Sequence, residues 1–190
     1  MADYLKCETI FEAFGQEFIV LEVDLEGNAL CITTHPWRKN CFDDKINRDC
    51  TNDINHASIR SLLQYVFLAG MIDTPEDRAL FINMNTDIFD NFGNHDYDYF
   101  KSRVRLLTYS EFEKFRSTLN IPDWAWTMTP YRCRRITPEI GNQSLAVVDT
   151  HGRYGHRHAS LSADIYPVVM LSQRVVLHES FSKLRKSIPK

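Results

Sequence analysis

Phe18-Ile-Val-Leu-Glu-Val-Asp24, Leu25-Glu-Gly-Asn28 and Ala29-Leu-Cys-Ile-Thr-Thr34 follow one another without a break. Two mostly apolar runs flank a turn in which Gly27 and Asn28 are suited to positive φ. The stretch predicts a β-hairpin. Glu8 to Phe14 adds a candidate strand ahead of it.

Downstream, His35 to Asn55 is rich in Asn, Asp, Cys and Lys, has no sustained period, and reads as a long irregular loop. Ile59, Leu62, Leu63, Val66 and Phe67 recur at helical steps. They predict a helix to about Ala69, with Asn55 or Ser58 as N-cap and Gly70 as C-cap. Asp73 to Asp98 reads as loops with short strands. Val104 to Leu107 is a short strand. Thr108 then opens a helix whose apolar face is Tyr109, Phe112, Phe115 and Leu119, with Glu111 as capping-box partner. Trp124 to Thr129 alternates like a strand, and both Trp124 and Trp126 are expected in the core. Leu145–Asp149 and His156–Ser160 flank a second hairpin turn, Thr150-His-Gly-Arg153. Ile165 to Leu171 is a further strand, and Pro167 places it at an edge or a bulge. Arg174 to His178 is a last candidate strand. The pattern is an α+β fold: short, mostly antiparallel strands and hairpins, two helices and long loops.

The 190 residues are 44% apolar, 12% aromatic and 25% charged, with a net charge of −3. That mixture excludes disorder, collagen and coiled coil. The expected organisation is a single α+β domain over residues 1–180 and a basic tail over 181–190. No run approaches about 18 apolar residues, so no membrane span is expected. The N-terminus lacks a basic start and an apolar stretch, so no signal peptide is expected. Five cysteines at irregular spacing, with no CxxC pair, read as free thiols of a cytoplasmic protein. The charge is uneven: residues 1–100 hold 7 Lys/Arg against 18 Asp/Glu, a net of −11, and residues 101–190 hold 15 against 7, a net of +8. Either the second half carries a basic binding face, or the two halves neutralise each other within one domain.

Several pieces then fall in a telling order: the first hairpin; Ser58-Ile-Arg-Ser-Leu-Leu63; Val104-Arg-Leu-Leu-Thr-Tyr-Ser-Glu-Phe-Glu-Lys-Phe115; Trp124-Ala-Trp126 to Pro130; Ala146-Val-Val-Asp149 to Gly152; and Tyr166-Pro-Val168. Over roughly residues 10–172 the chain resembles domain-of-unknown-function family 6273 of Gram-positive bacteria and their phages. The resemblance implies a C-type-lectin-like fold, shared with phage receptor-binding domains and formylglycine-generating enzymes. Hairpins and two helices would pack on a tryptophan-rich core beneath variable loops. Two arginines of the family pattern are replaced here, by Met128 and Tyr166, and the Asn that closes its helix motif is absent after Leu62-Leu63. Apolar packing is therefore expected where relatives carry a polar cluster. The cysteine pair that holds copper in formylglycine-generating enzymes has no counterpart, since only Cys133 lies in the second half.

The candidate site is basic and aromatic. Arg132, Arg134, Arg135, Arg153, Tyr154, His156, Arg157 and His158 crowd into a short stretch, with Tyr131 beside them. Arginine with aromatic neighbours suits recognition of carboxylates, phosphates or bases. His151, His156 and His158 form the densest histidine group, the one place for a transition metal. Asp43-Asp44 and Asp96-x-Asp98 are loop carboxylates of the kind that hold calcium. No hydrolase, Walker, dinucleotide or HExxH motif occurs, so no cofactor and no catalytic residue is assigned. The leading reading is a non-catalytic binding protein, phage- or prophage-associated. It would grip a host macromolecule, most readily a host protein such as a defence component, through loops and the basic hairpin. A lectin-like carbohydrate or receptor-binding module is the first alternative. A nucleic-acid-binding protein or a metal-dependent enzyme using the histidine hairpin is the second.

Overall fold

The structure, a computed structural model, describes residues 5–45, 51–95, 97–132 and 143–183. In chain order the strands are β1 Ile10–Ala13, β2 Gln16–Val23, β3 Ala29–Thr33, β4 Arg38–Cys41, β5 Phe81–Ile82, β6 Met84–Thr86 and β7 Phe100–Ser102. They continue with β8 Val104–Arg105, β9 Ala125–Pro130, β10 Ser144–Val148, β11 Tyr154–His158, β12 Ser162–Ile165, β13 Val168–Leu171 and β14 Ser182–Lys183. The α-helices are α1 Ser58–Leu62, α2 Pro75–Leu80 and α3 Tyr109–Phe115. A large sheet has the order β14-β1-β2-β3-β13-β5, with β8 also on β13. A second sheet has the order β11-β10-β9-β12-β4, and β6 pairs β7. Every pairing is antiparallel except β12 with β9. The fold is a small single-domain α+β structure of mostly antiparallel sheets with few helices.

The first hairpin forms as its sequence predicts, from β2 and β3. Both arms are apolar because both faces of the large sheet are covered. Ala29 and Cys31 face one core with Phe11, Phe18, Val20 and Val169. Leu30 and Ile32 face the other, with Leu21, Phe112, Phe115, Ile121 and Val168. That two-residue period, buried on each side, is what a doubly covered strand requires. The first core also takes in Trp126, Leu145 and Val147 of the second sheet. The acidic and basic halves of the chain thus share one interior. Lys114–Glu22 and Lys39–Asp123 ion pairs cross between them.

Several expectations are corrected. The stretch from His35 to Asn55 contains a strand, β4, which closes the second sheet against β12. The N-cap of α1 is Ala57, without a side-chain cap. Its first N–H, that of Ser58, instead donates to the Asp43 carboxylate at 3.2 Å, and Asp44 N–H donates to Ser58 Oγ at 2.9 Å. The helix then widens to a π-turn over Leu63–Leu68 and ends as a 3-10 turn over Ala69–Met71, so Gly70 is not its cap. The wider turn buries Leu68 and leaves Val66 exposed. Helix α2 lies where loops were expected. Pro75 stands at its start, and Thr74 and Asp77 form a reciprocal capping box.

The run Ile165–Leu171 is two strands, not one. β12 ends in the second sheet, Tyr166-Pro167 crosses over, and β13 enters the middle of the large sheet. Pro167 fits the crossover because its missing N–H costs no ladder bond there, while its carbonyl accepts from Thr33 N–H at 3.2 Å. Residues Gln173–Leu177 form a 3-10 helix in place of a strand. The end of the domain also moves. Phe181 packs on Phe11 at 5.4 Å and β14 pairs with β1, so residues 181–183 belong to the fold. The rest of the basic tail lies outside the described residues. Of the two tryptophans, Trp126 is buried and Trp124 is half-buried. Met128 and Tyr166 are buried, one in each core.

The described cysteines, Cys7, Cys31 and Cys41, are free thiols; Cys50 and Cys133 lie outside the described residues. Cys7 is exposed, and burial pushes the Cys31 thiol up. Cys41 is raised by partial burial and then by Asp44 and Asp43. Native alkylation followed by peptide mass mapping should therefore modify Cys7 first, Cys41 slowly and Cys31 only on unfolding. Labelling of Cys31 at the rate of Cys7 would refute this burial pattern. No described helix is long and apolar enough to cross a membrane.

Candidate functional site

The second hairpin pairs β10 with β11 from Ser144↔His158 to Val148↔Tyr154. Its turn is built on Asp149. Gly152 takes φ 92°. The Asp149 carboxylate accepts from His151 N–H at 2.9 Å, from Arg153 N–H at 3.0 Å and from Arg153 Nε. Burial opposes ionisation of Asp149. The Arg153 backbone N–H and guanidinium, with His151 N–H, outweigh it and hold the carboxyl below its usual range. Thr150 N–H donates to Ile121 O at 2.9 Å, tying the turn to the chain after α3.

The same five-residue device occurs three times among the described residues. In Asp24-Leu-Glu-Gly-Asn28, Asp90-Asn-Phe-Gly-Asn94 and Asp149-Thr-His-Gly-Arg153, one carboxylate oxygen accepts the N–H groups two and four residues on. The glycine has φ of 85°, 82° and 92° respectively, which only glycine adopts without strain. In the first hairpin this puts the positive φ on Gly27 alone, not on Asn28.

The Asp90 turn, within the stretch expected as loops, completes the surface. Asn91 N–H donates to Pro130 O at 3.0 Å, docking the turn beside β9. Phe92 is thereby held edge-on to Tyr131, with centroids 5.7 Å apart, and stays 56% exposed. Tyr131 stacks on His156 at 4.2 Å, and the Arg132 guanidinium sits 4.9 Å over Phe92. Tyr154, 40% exposed, packs on Tyr109 at 4.7 Å. Its phenol is pushed up to about 12 by burial, then by Tyr109 and Tyr131, so it remains a neutral donor. A recess of about 120 Å³ lies beside this surface, between Phe89–Asn91 and Thr108–Ser110. The result is a ledge of aromatic and cationic groups along β11, the edge strand of the second sheet among the described residues.

The other predicted residues are distributed differently. Arg153 lies 5.1 Å over Trp124 as well as pairing with Asp149, and Arg157 Nη1 donates to Ser162 O. Among the described residues neither arginine pairs with the acidic half of the chain. His158 bonds Gln143 and Ser160 at 2.9 and 2.8 Å and so turns away from a shared ligand role with His156. Among the described residues no three His, Cys, Asp or Glu side chains meet as a metal-holding group. Asp43 serves the start of α1, and Asp96, Arg134 and Arg135 lie outside the described residues. Phe89 and Phe92 were missed as site residues. The available signal was the Asp90-x-x-Gly93 spacing shared with the other two turns. Comparison of the chain with protein-family models, with curated proteins and with solved structures finds no match in any of the three.

Proposed function

We propose that the protein is a non-catalytic binding protein that grips a macromolecule along the Arg132–Phe92–Tyr131–His156 ledge and the adjoining β10–β11 hairpin, including Tyr154 and Arg157. The observation that carries the reading is this set of rings, with Phe92 and His156 exposed on either side of the half-buried Tyr131 and the Asp90 turn holding Phe92 in place. Rigid aromatics and arginine are the residues that anchor interfaces, because they bury much area for little lost entropy. The partner class comes from the resemblance alone: a host protein, met in the bacterial cytoplasm by a phage- or prophage-associated chain of C-type-lectin-like type, with inhibition of a defence component as the fitting role. Carbohydrate and nucleic acid are the alternatives that the same test separates.

The test compares the native protein with the Tyr131→Ala/His156→Ala variant. Arg153 is unsuited to it because its loss also removes the side-chain partner of the buried Asp149 carboxylate. Capture from a Gram-positive lysate should retain a protein on the native surface and lose it on the variant. The purified pair should weaken by about 30-fold or more, on the scale of interface anchors. The melting temperature should fall only a little, because His156 is exposed and Tyr131 half-buried, so the loss of binding far exceeds the loss of stability. Retention of glycans or nucleic acid in the same ledge-dependent way selects an alternative. A variant that binds as tightly as the native protein refutes the ledge.

A further inference from the structure

The outer edge of β11 carries unused backbone groups. In an antiparallel ladder, residues alternate between bonding the neighbouring strand and facing away from it. Asp149 N–H donates to Arg153 O at 3.2 Å and Ala159 N–H donates to Gln143 O at 2.6 Å, so the odd-numbered residues of this hairpin form its hydrogen-bonded pairs. Gly155 and Arg157 therefore bond β10, while Tyr154, His156 and His158 turn their N–H groups outward. The His158 carbonyl accepts from Leu161 N–H at 2.9 Å. The Tyr154 and His156 carbonyls face out beside the N–H groups, and among the described residues no strand pairs with this edge.

Edges of this kind are normally blunted by proline, lysine or a bulge. β11 has no proline and no lysine, and the β10–β11 register runs without a shift from end to end. Tyr154 and His156 are exposed. The outward groups recur every second residue, about 7 Å apart, which is the repeat of an incoming strand.

Charge decides which strand fits. From Thr150 to Ala163 the chain holds Arg153 and Arg157 and no Asp or Glu. Arg157 shares one face of β11 with Gly155. Arg132 joins the other face through Phe92, Tyr131 and His156. The carboxylates nearby are already engaged. Asp149 is buried and paired with Arg153, and Asp90 is buried and holds its own turn. Asp123 is paired with Lys39. Glu113 accepts from the Tyr109 hydroxyl, and Arg116 reaches the same end of the hairpin at Gly152. Arg132 and Arg157 have no carboxylate partner among the described residues. A second copy of the chain is the wrong occupant. Two-fold pairing centred on His156 would set Arg157 diagonal to Arg153 and Arg157 of the other copy, within reach of long side chains.

We infer that the outer edge of β11 takes up an extended acidic segment of a partner protein as an added strand. The inference rests on the reading of this face as a binding surface and names how the partner is held: by the outward backbone groups of Tyr154, His156 and His158, with acidic side chains at Arg132 and Arg157. Three peptides test it on the full chain by amide chemical-shift titration. Acetyl-Glu-Val-Glu-Val-Glu-Val-amide should move the N–H protons of Tyr154, His156 and His158 downfield and saturably, and leave those of Gly155 and Arg157 nearly in place. The lysine counterpart reverses the charge, and the counterpart with proline for valine keeps the charge but cannot form the ladder. Neither should give saturable shifts. His156→Pro removes an outward N–H where an edge strand tolerates proline, so it should bind the glutamate peptide about tenfold more weakly than His156→Ala. If His156→Pro folds poorly, the alternation in the native protein decides. In Tyr131→Ala/His156→Ala the peptide should bind more weakly with the alternation kept. Unweakened binding there, with the alternation kept, counts against the ring stack and leaves the added strand standing. Shifts that do not alternate, equal shifts with the lysine or proline peptide, or no saturable shift with the glutamate peptide each overturns the inference.

Discussion

Replacing Glu111 by alanine is expected to destabilise the protein by about 3–5 kcal/mol, the range for stripping one partner from a buried ion pair. Arg105 is 4% exposed, and its two terminal nitrogens meet the two Glu111 oxygens at 2.6 Å each. Its Nε has no partner, so the guanidinium has little to fall back on beyond the Leu106 carbonyl. Glu111 also accepts Thr108 N–H at 2.9 Å and closes the capping box of α3. The alanine variant thus loses a cap and strands a cation. The double replacement Arg105→Met/Glu111→Leu should recover much of the loss, because no charge is then left buried. The pH dependence has a definite sign. Burial opposes ionisation of Glu111, but Arg105 prevails and sets its folded value below the ordinary 4.5. The pair's contribution is complete above that ordinary value and disappears as pH falls through the lower, folded one. Urea unfolding of native and Glu111→Ala proteins should therefore show a gap that is full at neutral pH and narrows in acid. A gap under 1 kcal/mol at pH 7 contradicts the account.

Trp126→Ala should cost about as much, 3–5 kcal/mol, as for other large aromatics removed from a core. Trp126 is 2% exposed, lies 5.8 Å from Phe42, and donates its indole N–H to Asn40 O at 2.8 Å. It stands on β9, in the middle of the second sheet, and reaches across to β4. Trp126→Phe keeps most of the volume and loses the bond to the part-buried Asn40 carbonyl, so about 1–3 kcal/mol is expected, the cost of leaving such a group unsatisfied. Trp124→Ala should cost less than Trp126→Ala, because Trp124 is half-buried beneath Arg153. Shifts of the urea midpoint at constant m-value read all three. Equal costs at the two tryptophans would contradict this ranking.

The parts of the fold that sequence made legible are those in which local pattern and tertiary demand agree. Thr108-x-x-Glu111 signals a helix start in any context, and the first hairpin carries its own turn. Thr74-Pro-Glu-Asp77 carries the same signal with aspartate in place of glutamate, yet its Asn- and Asp-rich surroundings read as loop. The run Ile165–Leu171 is uniformly apolar, so no period within it shows that the chain changes sheets at Pro167. Ala57 is not a capping residue, and only Asp43, remote in sequence, explains where α1 begins. The site divides in the same way. An exposed basic turn was legible, whereas the bond of Arg153 to Asp149 depends on the turn's geometry. The stack of Phe92, Tyr131 and His156 depends on Asn91 docking at Pro130, a contact that no local pattern announces.

The three aspartate–glycine turns have a further consequence. Each is held by the carboxylate of its first residue, which accepts the backbone N–H groups of the third and fifth, with glycine fourth, while the second and third stand at the tip as Leu25-Glu26, Asn91-Phe92 and Thr150-His151. Leu25 and His151 are fully and largely free of neighbours, and Phe92 is only partly covered. The scaffold therefore works as a holder with interchangeable bits. At the Asp24 and Asp90 turns new tip side chains change what the surface presents while the clamp beneath stays the same; at the Asp149 turn only His151 is free to vary, because the Thr150 hydroxyl bonds Ile121. A change of tip residue is thereby separated from the cost of refolding the turn.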